Sequence, residues 1–122
     1  MKRRTYSRTR PGCAVEATLD AIGGKYKGML LYHLLEGTRR FGELRKLVPT
    51  VTHRTLAIQL RELEAVGVVR REVFAVVPPR VEYSLTEMGR SLGPIVRLMQ
   101  EWGAEHLARI ERAGDAEPPP DA

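Results

Sequence analysis

The sequence lacks the features that mark secreted proteins and membrane proteins. Its one cysteine, Cys13, excludes an internal disulfide and a cysteine-rich zinc site. No apolar run approaches the length of a membrane span, and the basic start of the chain is not followed by the apolar stretch of a secretory signal. We therefore expect a folded cytoplasmic protein, for which 122 residues suffice to form one compact domain.

Patterns that indicate catalysis or metal binding are also absent from the sequence. It contains neither a glycine-rich phosphate loop nor a nucleophile–base–acid set, so we do not expect an enzyme. The three histidines, His33, His53 and His106, fall in separate predicted helices. We therefore expect no shared metal site and no cofactor.

Positive charge is present, but it is unevenly distributed along the chain. Residues 39–80 contain nine lysines and arginines against four acids, whereas residues 81–122 contain four against eight. Because the net charge of +5 is modest, the position of the cations is more informative than their number. A basic middle followed by an acidic final third indicates a face that meets a polyanion, although an ordinary solvated surface gives the same pattern.

The chain divides into an arm, one domain and a tail. Residues 1–12 contain five lysines and arginines without an apolar period, which predicts a flexible basic arm. Residues 13–112 hold all the periodic apolar patterns, so we expect the domain there. Residues 113–122, which include three consecutive prolines, are typical of a disordered tail.

Helical periodicity predicts two core helices early in this domain. Val15, Leu19 and Ile22 recur at helical spacing until a glycine pair ends the first helix. The second helix follows at once. Its predicted buried face contains Tyr26, Met29, Leu30, His33 and Leu34.

Two more helices, joined by a short connection, come next. The first must end near Val48, because Pro49 disfavours helical geometry in the residue before it. Thr52 can cap the second, and Val51 and Leu56 occupy the two positions of a hydrophobic staple. Two amphipathic helices separated by about four residues match the helix-turn-helix pattern.

A β-hairpin and a long helix complete the domain. The runs 68–77 and 80–85 are rich in β-branched or alternating apolar residues, and Pro78-Pro79 between them suits a hairpin tip, as in a wing. Beyond Thr86 an apolar stripe continues to Ile110, in which Pro94 either kinks the helix or begins a new segment. We expect a mainly α fold with a small β-hairpin wing, a winged helix-turn-helix with additional N- and C-terminal dimerisation helices.

The stripe on the last helix needs a partner, because it runs far beyond the wing. We expect it to pair two chains together with the first helix, with Trp102 as an anchor. The predicted dimer interface consists of Val15, Leu19, Leu92, Ile95, Val96, Met99 and Trp102.

Polar residues on several elements are placed to contact double-stranded DNA, whose phosphates require cations from more than one element. If the leucines of the second helix of the motif face inward, Arg54, Ile58 and Arg61 face outward. Its N-terminal residues are the usual base readers, and Arg54 can contact guanine through two hydrogen bonds while Thr55 can contact a thymine methyl. The predicted DNA-binding residues are Arg40, Thr52, His53, Arg54, Thr55, Ile58, Arg61, Arg71 and Arg80.

For each of these residues alone, the solvated back of an amphipathic helix explains the sequence equally well. The order of the elements is more specific than any single residue. Helix, four-residue turn, helix and proline-tipped hairpin with outward arginines together favour DNA.

At these residues the chain resembles the HxlR-type winged-helix regulators, a branch of the MarR-like group, over about residues 13–106. Four departures stand out: Ala14, Tyr26, Ile58 and Val76 replace the residues usual in the family. Because Ile58 replaces a polar residue of the recognition helix, the operator preference cannot be copied from relatives. The resemblance is carried by Cys13, Val15-Glu16, Gly23–Lys25, Arg40–Leu44, Leu60–Glu64 and Val77–Gly89.

The resemblance implies a dimeric repressor or activator whose wing reaches the minor groove, with Arg80 as a wing contact. Some members sense oxidants or electrophiles through the cysteine at the position of Cys13. Cys13 lies at a predicted helix start, which favours the thiolate form of a cysteine. The alternative to sensing is that Cys13 is an inert thiol buried in the dimer contact. Oxidation of a single cysteine would yield a bond between subunits, a mixed disulfide or a sulfenic acid.

We expect a sequence-specific transcriptional regulator, with repression as the working assumption, that binds an inverted-repeat operator as a homodimer. Two other classes remain open. A sequence-indifferent architectural protein would discriminate little between sequences and would depend steeply on salt. A winged helix that binds protein would not bind DNA at low salt.

Overall fold

The computed structural model describes residues 5–115. Six helices and three strands follow one another in this range. They are α1 (Cys13–Ile22), α2 (Lys27–Leu35), β1 (Arg39–Arg40), α3 (Phe41–Leu47), α4 (His53–Val66), β2 (Val69–Phe74), β3 (Arg80–Leu85), α5 (Glu87–Arg90) and α6 (Gly93–Asp115). The predicted mainly α fold with a β-hairpin wing is confirmed.

The helix-turn-helix consists of α3 and α4, and local interactions fix both helix starts. The backbone N–H of Arg40 donates to Glu43 Oε1 at 2.7 Å, and that of Thr55 donates to Thr52 Oγ1 at 3.1 Å. Gly67 ends α4 with a left-handed backbone, φ 96°. These contacts satisfy groups that the helix itself leaves without partners.

The core lies between α2, the helix-turn-helix and the sheet. Its innermost side chains are leucines of α2, α3 and α4, joined by valines near the helix and strand ends. Val51 and Leu56 are both buried in this core, as expected for the two positions of a hydrophobic staple. The side chains that are less than 2% exposed are Leu30, Leu31, Leu44, Leu56, Leu60, Leu63, Val48, Val68 and Val69.

Most of the face predicted for the second helix is buried, because Tyr26, Leu30 and Leu34 lie in the core. Met29 is exposed and His33 is only partly buried, so the prediction that both belong to the core face was wrong. Lys27 is buried instead, and its Nζ lies 3.4 Å from Glu62 Oε2 on α4. Helical periodicity does not reveal this burial, because a lysine is counted as polar although its ammonium finds a carboxylate inside.

The sheet has three antiparallel strands in the order β1-β3-β2. In the wing, Val69 pairs with Leu85 and Phe74 pairs with Arg80, so β2 ends three residues before the predicted Val77. The two-residue strand β1 was not predicted. It places Arg39 opposite Tyr83, and it ties the start of α3 to the base of the wing.

The last part of the chain contains a break between two helices. Thr86 caps the short α5, because its Oγ1 accepts the N–H of Gly89 at 3.0 Å and donates to the carbonyl of Gly67 at 2.6 Å. A new helix, α6, then begins at Gly93, so Pro94 occupies an N-terminal position where its missing N–H costs nothing. Of the two possibilities for Pro94, the new segment is the one observed.

The chain termini differ in part from expectation. Within the predicted arm, Ser7 Oγ accepts the N–H groups of Thr9 and Arg10, so this part of the arm forms a turn before α1. Helix α6 continues to Asp115, three residues beyond the expected end of the domain at 112. The remainder of the predicted tail, residues 116–122, and residues 1–4 lie outside the described range.

Candidate nucleic-acid interface

Helix α4 presents a polar face away from the core. Leu56, Leu60 and Leu63 are buried, whereas Arg54 and Arg61 are exposed on the opposite side. Ile58 is 39% exposed between them. The sequence prediction for the orientation of this helix is thereby confirmed, and the face carries two cations around one apolar side chain.

The first turn of α4 is held by its own threonines. Thr52 Oγ1 accepts the N–H of Thr55 and donates to Thr55 Oγ1 at 2.9 Å. The hydroxyl proton of Thr52 is therefore already donated within the protein, so the main role of Thr52 is to cap α4. Thr55 keeps its own hydroxyl proton and its methyl group for an external contact.

His53 lies at the junction of α3 and α4. Its ring is exposed, but its centroid is 4.5 Å from that of Phe41, with the two planes inclined by 46°. Phe41 in turn packs against the core. The imidazole is thus in contact with an aromatic ring that belongs to the core side of α3.

Two arginines from different elements line one cleft between α4 and the sheet. Arg61 of α4 and Arg71 of β2 border an open cleft of about 740 Å³, together with Tyr83 and Glu64. Neither Arg61 nor Arg71 forms an ion pair with another residue in the range 5–115, and the same holds for Arg54. Their guanidinium groups remain available for phosphate or base oxygens.

Arg80 differs from these three, because it is held within the wing. Its Nε lies 3.1 Å from Glu82 Oε2, and its guanidinium carbon lies 4.5 Å from the ring centroid of Phe74. As the strand partner of Phe74 it stands at the base of the tip loop. Arg40 is exposed and lines a groove of about 510 Å³ that Arg80 also borders.

The apolar surface proposed for chain pairing is largely exposed, with two corrections. Val15, Leu19 and Trp102 are each at least half exposed, and Ile95 and Met99 are 43% and 45% exposed. Val96 is only 4% exposed and belongs to the core of its own chain, against which Leu92 also packs. Val96 faces the domain because α6 packs against α2, and Leu92 lies just before α6 begins.

One apolar residue of this surface escaped the sequence prediction. Leu98 is 64% exposed and lines a shallow pocket with Ile95, Met99 and Trp102. Its spacing of three residues from Ile95 and four from Trp102 is the helical signal that identifies it.

Cys13 is the first residue of α1 and is partly buried. The backbone N–H of Ser7 donates to its Sγ at 2.9 Å, so the turn formed by residues 7–12 lies beside the thiol. Within residues 5–115, no group of three or more acidic, histidine or cysteine residues is arranged to hold a metal ion. No helix in that range is both long and apolar enough to span a bilayer.

Residues 21–111 match the family model described as HxlR-like helix-turn-helix. The chain belongs to the HxlR-like helix-turn-helix family. Among its relatives are two HTH-type transcriptional regulators of Bacillus subtilis (strain 168). YybR is 61% identical over 102 residues, which are 84% of this chain and 82% of YybR. YdeP is 58% identical over 101 residues, which are 83% of this chain and 79% of YdeP.

Solved structures agree with this family. The redox regulator HypR in its reduced form superposes with a TM-score of 0.77 at 56% identity, over 81% of this chain and 98% of that one. The oxidised form of HypR superposes with a TM-score of 0.74 at 60% identity, over 76% of this chain and 96% of that one. The chain is thus a winged-helix transcriptional regulator of the HxlR-like family. The architectural and protein-binding alternatives are not favoured.

Proposed function

We propose that this HxlR-like regulator binds an inverted-repeat operator as a homodimer and represses the gene beside it, in the cytoplasm. The observation that carries the proposal is the outward face of α4. There Arg54 and Arg61 are exposed and lack ion-pair partners among the described residues, whereas the leucines on the other side fix the helix to the core.

We assign base reading to the N-terminal half of α4. Arg54 is suited to the paired acceptors of guanine, and the methyl group of Thr55 to that of thymine. His53, positioned by Phe41, adds a polar contact at the start of the helix, and Ile58 adds an apolar one. Thr52 contributes mainly as the cap that holds this turn.

Phosphate contacts are assigned to cations on the surrounding elements. Arg61 and Arg71 border one cleft, so a DNA strand that passes there meets two cations. Arg40 and Arg80 border the second groove, on the side of the wing. Phosphate contacts at both protein clefts would fix the orientation of α4 in the major groove of the DNA. These contacts would not depend on the base sequence.

The dimer is assigned to the exposed apolar residues of α1 and α6. Val15, Leu19, Ile95, Met99 and Trp102 form this pairing surface, and Leu98 joins them, whereas Leu92 and Val96 do not. Large apolar side chains at such exposure are typical of a surface that a partner covers. Two chains paired in this way would present two α4 helices to successive major grooves, about 10–10.5 base pairs apart.

Response to oxidants is a second proposal, which rests on Cys13. Its thiol stands at the start of α1 and beside the turn of the basic arm, and HypR is named as a redox regulator. We propose that modification of the thiol alters the turn formed by residues 7–12 and thereby changes DNA affinity.

Selection of bound sites from random duplex DNA tests the main proposal. Purified protein is expected to enrich an inverted repeat whose half-sites are about one helical turn apart, and to bind it as two chains. Enrichment of a single half-site bound by one chain would contradict the dimer. Absence of enrichment with strong binding to all DNA would contradict sequence specificity.

A further inference from the structure

The start of α2 reaches the recognition helix α4 through a buried ion pair. Lys27, the first residue of α2, is only 8% exposed, and its Nζ lies 3.4 Å from Oε2 of Glu62 on α4. Among residues 5–115, Lys27 is the one charged residue that is buried. The contacts assigned to DNA and to the dimer make no use of it.

Stability does not explain this ion pair. The cost of removing two charges from water offsets most of their attraction, and apolar residues of similar volume are often equally or more stabilising. The core already holds α4 through Leu56, Leu60 and Leu63. Attachment of α4 to the domain therefore does not require Lys27 to be buried beside Glu62.

The ion pair adds a directional contact to α4. Apolar packing follows the buried area and has no preferred direction, whereas an ammonium and a carboxylate must keep a set distance. Glu62 lies two helical turns after Thr55, so both are on the same flank of α4. With a radius of about 5–6 Å, a helix that rotates by about 10° moves its outer surface by about 1 Å. This movement exceeds the tolerance of about 0.5 Å for a binding constellation.

The neighbour of Lys27 holds the other end of the same helix. Tyr26 is 7% exposed, and its hydroxyl donates to the carbonyl of Thr50 at 3.4 Å, in the connection between α3 and α4. Residues 26 and 27 thus contact the motif before α4 begins and again near its C-terminal end. Helix α2 also packs against α6, which carries the proposed pairing surface. It therefore links that surface to the recognition helix.

We propose that Lys27 and Glu62 are positioning residues for base reading. Their ion pair sets the rotation of α4 about its own axis and thereby directs Arg54 and Thr55 at the operator bases. The inference rests on the proposed function, since base reading by α4 is what the pair serves. It predicts that removal of the pair lowers specificity without lowering stability.

The test replaces both partners at once by methionine, which is long, unbranched and uncharged. Lys27→Met/Glu62→Met removes one charge of each sign, so the net charge that attracts DNA stays the same. Fluorescence anisotropy over a salt series measures the affinities for the selected operator and for random DNA of equal length. Thermal unfolding measures Tm.

The double variant is expected to lose specificity alone. Its ratio of operator affinity to random-DNA affinity should fall about fivefold or more, the lower end for one two-pronged base contact. Random-DNA affinity and its slope with salt should stay the same, because no phosphate contact is removed. Tm should stay equal to or above that of the wild type.

Single variants check the geometry of the pair. Lys27→Met leaves Glu62, whose side chain is 30% exposed and can turn to water, whereas Glu62→Met leaves a buried ammonium without its carboxylate. Glu62→Met should therefore lower Tm more than Lys27→Met. Lys25→Met, which removes an exposed lysine two residues away, is the matched control and should retain the affinity ratio.

Three results would overturn the inference. An unchanged affinity ratio in the double variant would mean that the leucine contacts alone position α4. A double variant whose Tm falls together with the ratio would give the pair a structural role only. A ratio that falls equally in Lys25→Met and Lys27→Met would assign the effect to lost charge. A wild type that binds operator and random DNA equally would instead contradict the proposed function, and the inference with it.

Discussion

Arg61 on the recognition helix and Arg71 on the first strand of the wing border one cleft, and neither has an ion-pair partner among residues 5–115. Tyr83, which pairs with Arg71 across the sheet, is buried at the same place. The cleft thus joins the helix that would read bases to the hairpin that would hold the backbone. This relationship suggests how phosphate binding can orient α4.

Removing one of these cations should change the salt dependence of DNA binding. Arg71→Ala is expected to reduce the slope of log affinity against log salt by about one, because one phosphate contact is lost. Arg70→Ala is the matched control, since Arg70 is the neighbour on the strand and lies 3.5 Å from Glu72 in an exposed ion pair. Fluorescence anisotropy over a salt series measures both slopes. Equal slopes for the two variants would contradict a phosphate contact by Arg71.

Substitutions on the two faces of α4 should affect different properties, DNA binding on the outer face and stability on the inner face. Leu60→Ala is expected to lower the free energy of unfolding by about 2–5 kcal/mol, because Leu60 is buried in the core. Ile58→Ala, which truncates a half-exposed residue on the opposite face, should weaken operator binding while the unfolding free energy changes much less. Denaturant unfolding and operator titration measure the two effects. A loss of stability in Ile58→Ala as large as that in Leu60→Ala would contradict the assigned orientation.

Adjacent residues of α6 provide a test of the pairing surface. Ile95→Glu is expected to dissociate the dimer into folded monomers, because it places a charge in the proposed apolar contact. Val96→Ala should lower stability and leave the oligomeric state unchanged, since Val96 lies in the core of its own chain. Sedimentation velocity and thermal unfolding distinguish the variants. If the Ile95→Glu variant remains a dimer, this face of α6 is not the dimer interface.

The redox proposal predicts an effect that depends on one thiol. Diamide with added glutathione is expected to change the operator affinity of the wild type by forming a disulfide between Cys13 and glutathione, in which diamide takes up the two hydrogens released by the thiols. Cys13→Ser, which removes only the reactive sulfur, should not respond. Intact mass spectrometry verifies the modification. Full modification without any change in affinity would contradict sensing.

Several features of the interface could be predicted because they depend on neighbours in the sequence. The Thr52 cap and the burial of Val51 just before α4 follow from residues within one helical turn. The outward position of Arg54 follows from the helical period of the leucines. These local patterns are independent of what lies elsewhere in the chain.

Other features depend on distant parts of the chain and could not be predicted. The strand Arg39–Arg40 exists only because β3, more than forty residues later, provides hydrogen bonds. Val96 and Ile95 belong to one apolar stripe, and only the position of α2 decides that Val96 packs against the domain while Ile95 remains exposed. The contact of Arg80 with Glu82 and Phe74 likewise requires the register of the hairpin.

The most direct test of the account compares Arg54→Ala with the wild type on the selected operator and on random DNA of equal length. Because Arg54 is proposed to read a base through two hydrogen bonds, the ratio of operator affinity to random-DNA affinity should fall about tenfold or more, with little change on random DNA. Arg109→Ala, on the exposed surface of α6, should leave both affinities unchanged. Equal losses on the two DNAs would assign Arg54 to phosphate and contradict base reading by α4.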